Sequence, residues 1–305
     1  MDAEKEKCRE WSEYYREFPY LSAQRVRPGC HPGKLLHAGR TEKAIVLVHG
    51  LTDSPYYMMA IAEYFHEILG YNVYLPLLQC HGLKQPEGMA GVSLAEWKKN
   101  VRFALGTAAA NAERVSIGGL STGGALAFYL GCTDPAVTGD IYLFSAALGL
   151  YAGRLGVFGG FLEFLARLPF VRFLDSNKPL VGKHRYRYDR VPFNSAGELA
   201  RLIQEIDGLL KKTDDTIRAH RIFAAWSEHD RVINIEKLKK LPSRLMKIPF
   251  VSFTIPKADR VDHACVVLRE SLYAMDSQSG QAPLERANPR FAEMLAAVNN
   301  FESAA

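Results

Sequence analysis

The sequence predicts an α/β fold: a doubly wound, mostly parallel sheet. Three observations carry that expectation. Continuous apolar runs suit strands buried on both faces, amphipathic stretches of helical length lie between them, and the two alternate regularly from Lys43 onward. The chain has 305 residues, 48% of them hydrophobic and 23% charged, the balance of a globular protein with ample core material. That length suits one α/β unit carrying an insertion.

The elements follow in order. A lead-in, 1–42, opens with a charged segment over roughly 3–17 that reads as a helix, then passes through the turn-rich Arg27-Pro28-Gly29-Cys30-His31-Pro32-Gly33. Ala44-Ile45-Val46-Leu47-Val48 is a continuous apolar run, the pattern of a strand buried on both faces. A helical pattern covers about Tyr56–Leu69, a strand Tyr71–Leu75, and a longer helix about Ser93–Asn111. Val115-Ser116-Ile117 reads as a buried strand, and Gly123-Gly124-Ala125-Leu126-Ala127 as the first turns of a packed helix. Further strands fall near 139–146, at Arg221–Trp226 and at Phe250–Ile255, with a short helix at Ile235–Leu241. The interval 147–218 breaks the alternation and reads as mostly helical, so it is expected to be a cap inserted in a core made of 43–146 and 219–305. An insertion at the carboxyl ends of sheet strands lies over the place where such sheets bind ligands.

Composition narrows the function classes. The net charge of +5 is modest, Lys and Arg are scattered apart from one stretch, and no nucleic-acid partner is expected. The apolar tract Ile141–Leu174 is interrupted by Arg154, Glu163, Arg167, Pro169 and Arg172, as well as by Gly153, Gly156, Gly159 and Gly160, so no transmembrane segment is expected. Met1–Tyr20 lacks the apolar centre of a signal peptide. The five cysteines, Cys8, Cys30, Cys80, Cys132 and Cys265, show no C-x-x-C spacing and read as free thiols of a reducing compartment. A cytoplasmic protein with no metal site is therefore expected, and a homo-oligomer is left open.

The chemistry is concentrated at four places. Gly119-Leu120-Ser121-Thr122-Gly123 sits between the Val115–Ile117 strand and a small-residue helix. A serine at such a corner is held in a strained conformation with its hydroxyl clear of the main chain, the setting of a nucleophile. His49-Gly50-Leu51-Thr52-Asp53-Ser54-Pro55 directly follows another buried strand. The N–H groups of Leu51 and Thr122 would then form a two-donor oxyanion hole. Ser227-Glu228-His229-Asp230 follows the Arg221–Trp226 strand; Asp230 is the expected acid, with Glu228 and His229 near rivals. Asp262-His263-Ala264 follows the last strand, and His263 is the expected base; the competing readings are a helix-capping surface site with Asp262 as the N-cap, and Asp262 as the acid in place of Asp230. The order Ser121, Asp230, His263, each at the end of a strand, is the order a hydrolase of this sheet type requires.

Those residues also carry a family resemblance. Val48-His49-Gly50-Leu51-Thr52 with Ser54-Pro55, then Pro76, Cys80-His81-Gly82 and Gly119-Leu120-Ser121-Thr122-Gly123-Gly124, resemble the carboxylesterase and monoacylglycerol-lipase branch of the α/β-hydrolases over roughly 43–275. The resemblance implies the α/β-hydrolase fold and a serine hydrolase of carboxylic esters, with short or medium acyl chains or a monoacylglycerol-like substrate, no cofactor, and a small helical cap. Two departures stand out. Cys80 replaces the usual glycine before His81, which touches a supporting loop, and Asp53 occupies a place where small residues are usual, putting a charge near the oxyanion hole.

Thioester, amide or peptide hydrolysis, or acyl transfer, would use the same residues, and a hydrolase-like binding protein would keep only the fold. Lys183-His184-Arg185-Tyr186-Arg187-Tyr188-Asp189-Arg190 is expected to be a solvated basic face, and Leu155–Phe173 to pack on the core or line an acyl pocket. Cys80 and His81 are not expected to work as a pair, because adjacent residues of an extended segment face opposite ways.

Overall fold

The computed structural model describes residues 9–85, 89, 91–150, 184–191, 193–211, 218–275, 277 and 280–304. The expected alternation is present. The strands are β1 (Arg9–Glu10), β2 (Gly33–Leu35), β3 (Thr41–Val48), β4 (Asn72–Leu75), β5 (Ala112–Leu120), β6 (Ile141–Phe144), β7 (Ile222–Ser227) and β8 (Phe250–Ile255). The helices are α1 (Ser12–Glu17), α2 (Met59–Glu67), α3 (Leu94–Asn111), α4 (Thr122–Thr133), α5 (Phe193–Leu209), α6 (Ile235–Lys239), α7 (Leu241–Arg244) and α8 (Phe291–Ser303). Single 3₁₀ turns precede α2 at Pro55–Met58 and follow β8 at Lys257–Asp259 and His263–Val267.

One eight-stranded sheet runs in the order β1-β2-β4-β3-β5-β6-β7-β8. The pairs from β4 to β8 are parallel, and only β1–β2 and β2–β4 are antiparallel. The order follows from burial. β4 and β6 are buried throughout, and in β3 Ile45, Val46, Leu47 and Val48 are fully buried. Strands buried on both faces must have helices on both sides, which requires parallel pairing with helical crossovers. β3 exits between β4 and β5, so the chain order reverses there. This is the switch point at which doubly wound sheets leave a crevice.

Two apolar layers flank the sheet. One packs α2 and α8 through Ile61, Phe65, Met294 and Val298, and the other packs α3 and α4 through Trp97, Val101, Leu126 and Leu130. α3 begins where Ser93 accepts a hydrogen bond from the Glu96 N–H, a serine N-cap with an acid three residues on.

One expectation needs correcting. The charged segment 3–17 is not one helix: Arg9–Glu10 adds an edge strand to β2, and the helix covers only Ser12–Glu17. Trp11, Tyr14 and Phe18 are fully buried, and packing of these aromatics decides the path there, while residues 1–8 lie outside the described set. The cap interval is described only in part. Residues 151–183 lie outside the described residues, and so does the apolar Leu155–Phe173. The later part of the interval, α5, buries Leu202, Ile203 and Ile206 in the layer with α3 and α4. Glu198 of α5 accepts a hydrogen bond from the Leu94 N–H at 3.0 Å, serving a free donor at the start of α3.

The tightest point is the junction of β5 and α4. A side-chain carbon at Gly123 would stand 2.1 Å from the Val48 carbonyl oxygen and 2.4 Å from that of His49. Backbone cannot give way as a side-chain tip can. Gly123→Ala is expected to cost about 3 kcal/mol or more. Gly106→Ala, on the exposed face of α3 with nothing within 4 Å, should stabilise by about 0.5–1 kcal/mol. Urea unfolding of the two variants beside the unaltered protein checks both signs.

Candidate active site

β5 ends at Leu120, and the chain turns directly into α4 through Ser121. Ser121 has φ 54° and ψ −116°, a conformation costly for any residue with a side chain. The surroundings hold it there: the Ser121 N–H donates to the Phe144 carbonyl at 3.0 Å, and its own carbonyl accepts from Ala125 and Ala147 at 2.9 Å. Its side chain is thereby pushed out above the sheet, and the residue is 7% exposed.

Two loops from neighbouring strands complete the chain of contacts. The Ser121 hydroxyl lies 2.8 Å from His263 Nε2, and His263 Nδ1 lies 2.6 Å from Asp230 Oδ2. A carboxylate at Nδ1 requires the proton on that nitrogen, which leaves Nε2 free to accept from the serine. The other Asp230 oxygen accepts from the Val232 and Ile233 N–H groups at 2.8 and 3.2 Å. Burial alone would push the Asp230 carboxyl up, but His263 and those two N–H donors outweigh it and hold it below its usual value. The rivals are elsewhere. Glu228 is exposed, and the Asp262 side chain is 80% exposed, with His229 Nε2 at 3.8 Å.

The loop after β3 comes up against the serine. A side-chain carbon at Gly50 would meet Ser121 Cβ at 3.2 Å and Asp53 Oδ2 at 2.3 Å, so Gly50 is what allows the close approach. Thr122 opens α4, where N–H groups have no partner within the helix. Among the described residues, no hydrogen bond occupies the Leu51 or the Thr122 N–H. His49 anchors this loop from below: its Nδ1 bonds the Gly50 carbonyl at 2.9 Å, and its Nε2 accepts the Leu78 N–H at 3.1 Å.

A serine, an imidazole and a buried carboxylate in line can move a proton off a nucleophile. Comparison with known proteins gives the family of the chain. Residues 45–293 match the model of the alpha/beta hydrolase family. The chain belongs to that family. It is 31% identical over 218 residues to the thermostable monoacylglycerol lipase of Bacillus sp. (strain H-257), covering 70% of this chain and 78% of that protein. Among solved structures, one described with LipS and LipT, two metagenome-derived lipolytic enzymes, superposes with a TM-score of 0.63 at 19% identity, covering 92% of this chain and 100% of that one. The soluble variant of monoglyceride lipase from Saccharomyces cerevisiae gives 0.61 at 12% identity, covering 92% of this chain and 96% of the other. These two share the fold.

The basic stretch 184–190 is a correction. It is only partly a solvated face: Arg185 and Arg190 are exposed, but His184 and Tyr188 are buried and the Arg187 side chain is 12% exposed. The segment straps onto the loop after β3, because the Tyr188 N–H donates to the Thr52 carbonyl at 2.9 Å. The Tyr188 hydroxyl donates to the Cys80 carbonyl and accepts the Leu83 N–H, both at 2.9 Å. Arg27 donates to the carbonyls of His184 and Arg187 at 3.4 and 3.0 Å. Arg187 meets Glu285 Oε1 at 2.5 Å and Asp53 Oδ1 at 3.4 Å, and the Tyr57 hydroxyl donates to Glu285. Burial pushes the Asp53 carboxyl up to about 6, with Arg187 opposing and Glu285 reinforcing the rise. Sequence reasoning missed Arg187 and Glu285, since pairing with a buried acid 98 residues away leaves no local pattern. The one available signal was Asp53 itself.

His81, next to Cys80, turns inward, with its ring 5.0 Å from that of His49 and 5.8 Å from that of Trp97. Burial pushes His81 down to about 4, and burial with the neighbouring His81 holds His49 well below the usual histidine value. A histidine whose folded value is lowered binds fewer protons folded than unfolded, so stability rises with pH. The contribution is complete above about pH 6.5 and is lost as pH falls, for His81 down to about pH 4, at up to about 1.4 kcal/mol per pH unit for each ring. Urea midpoints across pH 4–7 should show that slope, and His81→Asn should flatten it.

Proposed function

We propose that this chain is a serine hydrolase of carboxylic esters, with Ser121 as nucleophile, His263 as general base and then acid, and Asp230 as the group that orients His263. The observation that carries the reading is the continuous hydrogen-bonded line from Ser121 through His263 to Asp230. Ester hydrolysis is the activity of the family branch to which the 31% identical lipase belongs.

Each group has one task. As the Ser121 oxygen attacks the ester carbonyl, its proton passes to His263 Nε2. The resulting imidazolium is steadied by Asp230, whose second oxygen is already engaged by the backbone. The carbonyl oxygen becomes an oxyanion facing the Leu51 and Thr122 N–H groups, which stabilise charge that exists only in the tetrahedral state. Collapse expels the alcohol, which takes the proton from Nε2 and leaves the acyl group on Ser121. Water then repeats the sequence and releases the acid.

The reading needs no cofactor or metal and takes a small-molecule ester, and no nucleic acid, as partner; a cytoplasmic location is part of the proposal and rests on the cysteine pattern alone. Among the described residues, no helix is long and apolar enough to cross a membrane. The interval 147–218 is the part of the chain that would set acyl-chain length.

Ser121→Ala should lower kcat on nitrophenyl butyrate by about 10⁴-fold or more and abolish labelling by a fluorophosphonate probe, with unchanged circular dichroism. Retained turnover would sink the reading. Thioester and amide analogues run beside the ester identify the preferred acyl group. Asp230→Asn should cost about 10²–10⁴-fold in kcat, whereas Asp262→Asn, at an exposed carboxylate, should change it by less than ~threefold. The reverse pattern would reassign the acid.

A further inference from the structure

The turn that carries Leu51 is closed by a residue ill-suited to it. The Asp53 N–H returns to the Gly50 carbonyl at 3.3 Å, which makes a four-residue turn with Leu51 and Thr52 at its centre. Thr52 has φ 68°, in the left-handed region. Turns that need a positive φ at the third position take glycine or asparagine there, and a β-branched side chain is strongly disfavoured. Such strain persists only where the surroundings over-determine it.

The same closure fixes the Leu51 N–H. In a trans peptide the N–H points opposite to the C=O, so the Gly50 carbonyl sets the direction of the Leu51 N–H. That carbonyl is held twice, by the Asp53 N–H and by His49 Nδ1 at 2.9 Å. Because His49 Nε2 accepts the Leu78 N–H, Nδ1 of the neutral ring carries the proton and donates. If Thr52 relaxed to a negative φ, the Asp53 N–H would swing away and the peptide would lose one of its two holds.

What opposes that relaxation comes from the segment 184–188, at the returning end of the inserted interval. The Tyr188 N–H donates to the Thr52 carbonyl at 2.9 Å. Arg187 beside it reaches three groups: Nη2 donates to Thr52 Oγ1 at 3.5 Å, Nε lies 3.4 Å from Asp53 Oδ1, and Nη1 donates to Glu285 Oε1 at 2.5 Å. Glu285 is the fixed end. Its backbone pairs with Leu272 in both directions, at 2.8 and 3.2 Å, and its other oxygen accepts from the Tyr57 hydroxyl. One arm of the guanidinium is thus anchored, and the others meet the two residues that close the turn. A planar guanidinium keeps those directions fixed relative to one another; an ammonium, a single point charge, does not.

We propose that Arg187 is a positioning residue for the oxyanion hole, holding the Gly50–Asp53 turn, and the strained Thr52 within it, in the form that directs the Leu51 N–H. The inference rests on the ester-hydrolase reading above, in which Leu51 is an oxyanion donor, and names what keeps that donor in place.

A double-mutant cycle between Arg187→Lys and Thr52→Gly tests it, read as kcat and KM for nitrophenyl butyrate at about pH 8, above the Asp53 value of about 6. With Thr52 in place, Arg187→Lys should lower kcat about 10- to 100-fold and change KM less than ~threefold, the signature of a misplaced oxyanion donor. With Thr52→Gly, where the turn needs no outside hold, the same replacement should cost less than ~threefold. An equal factor in both backgrounds would overturn the proposal and mark Arg187 as a support of 184–188 alone. A rise in KM at unchanged kcat, or no change at all, would overturn it too. Should Arg187→Lys fail to fold, Asp53→Asn, which keeps the size of the side chain and removes its charge, takes its place in the cycle. It should cost about threefold or more in kcat with Thr52 and less with Thr52→Gly, and equal losses would again overturn the proposal. Absence of ester turnover in the unaltered protein would sink the ester-hydrolase reading and this one with it, an outcome distinct from equal factors.

Discussion

The contact on which the rest of the structure depends is between two stretches of backbone: the first turn of α4 and the carbonyls of Val48 and His49 at the end of β3. No side chain fits between them. Because Gly119, Gly123 and Gly124 bring helix and strand this close, the serine at the corner is lifted into a left-handed conformation directly beside the loop that follows β3. Everything the site does follows from that adjacency. β3 and β5 are neighbours in the sheet, so their exits share one crevice, and β7 and β8 deliver an acid and a histidine to the same edge. A local steric constraint is thus converted by parallel topology into a constellation drawn from residues 142 apart.

This explains what could be read from the sequence. The parallel sheet was legible because Ala44–Val48 and its counterparts carry a pattern that only burial on both faces accounts for. Ser121, Asp230 and His263 were legible because each closely follows such a strand. The fit of α4 against β3 was implied by a run of small residues. By contrast, the strand at Arg9–Glu10 has two residues and no pattern of its own; its place is decided by Trp11, Tyr14 and Phe18 burying themselves against α3 and β4. The basic stretch misled for a related reason. Charged residues usually face water, and only the tertiary arrangement shows that Arg187 meets two carboxylates inside the protein.

The electrostatics divide the site into two halves of different character. On one side, Asp230 is saturated: histidine, two backbone donors, a carboxylate stabilised in its charged form. On the other, Asp53 is pushed toward neutrality by burial and only partly answered by Arg187. Two acids of the same type, both buried and both near His263, are given opposite tendencies by what surrounds them. Such divergence is how a single fold assigns different tasks to like groups. Beneath both, His49 and His81 are kept uncharged, so the loop rests on dipoles instead of ions.

Two fastenings of the inserted interval have a consequence for how such a protein changes over time. Leu150 pairs with Ile233 just beyond Asp230, and Tyr188 is tied to Thr52 in the loop beside the serine. One fastening lies three residues beyond Asp230 and the other one residue beyond Leu51. A lineage that keeps the reaction must therefore keep both fastenings, since a change at either is felt at once in the loops that hold those two residues.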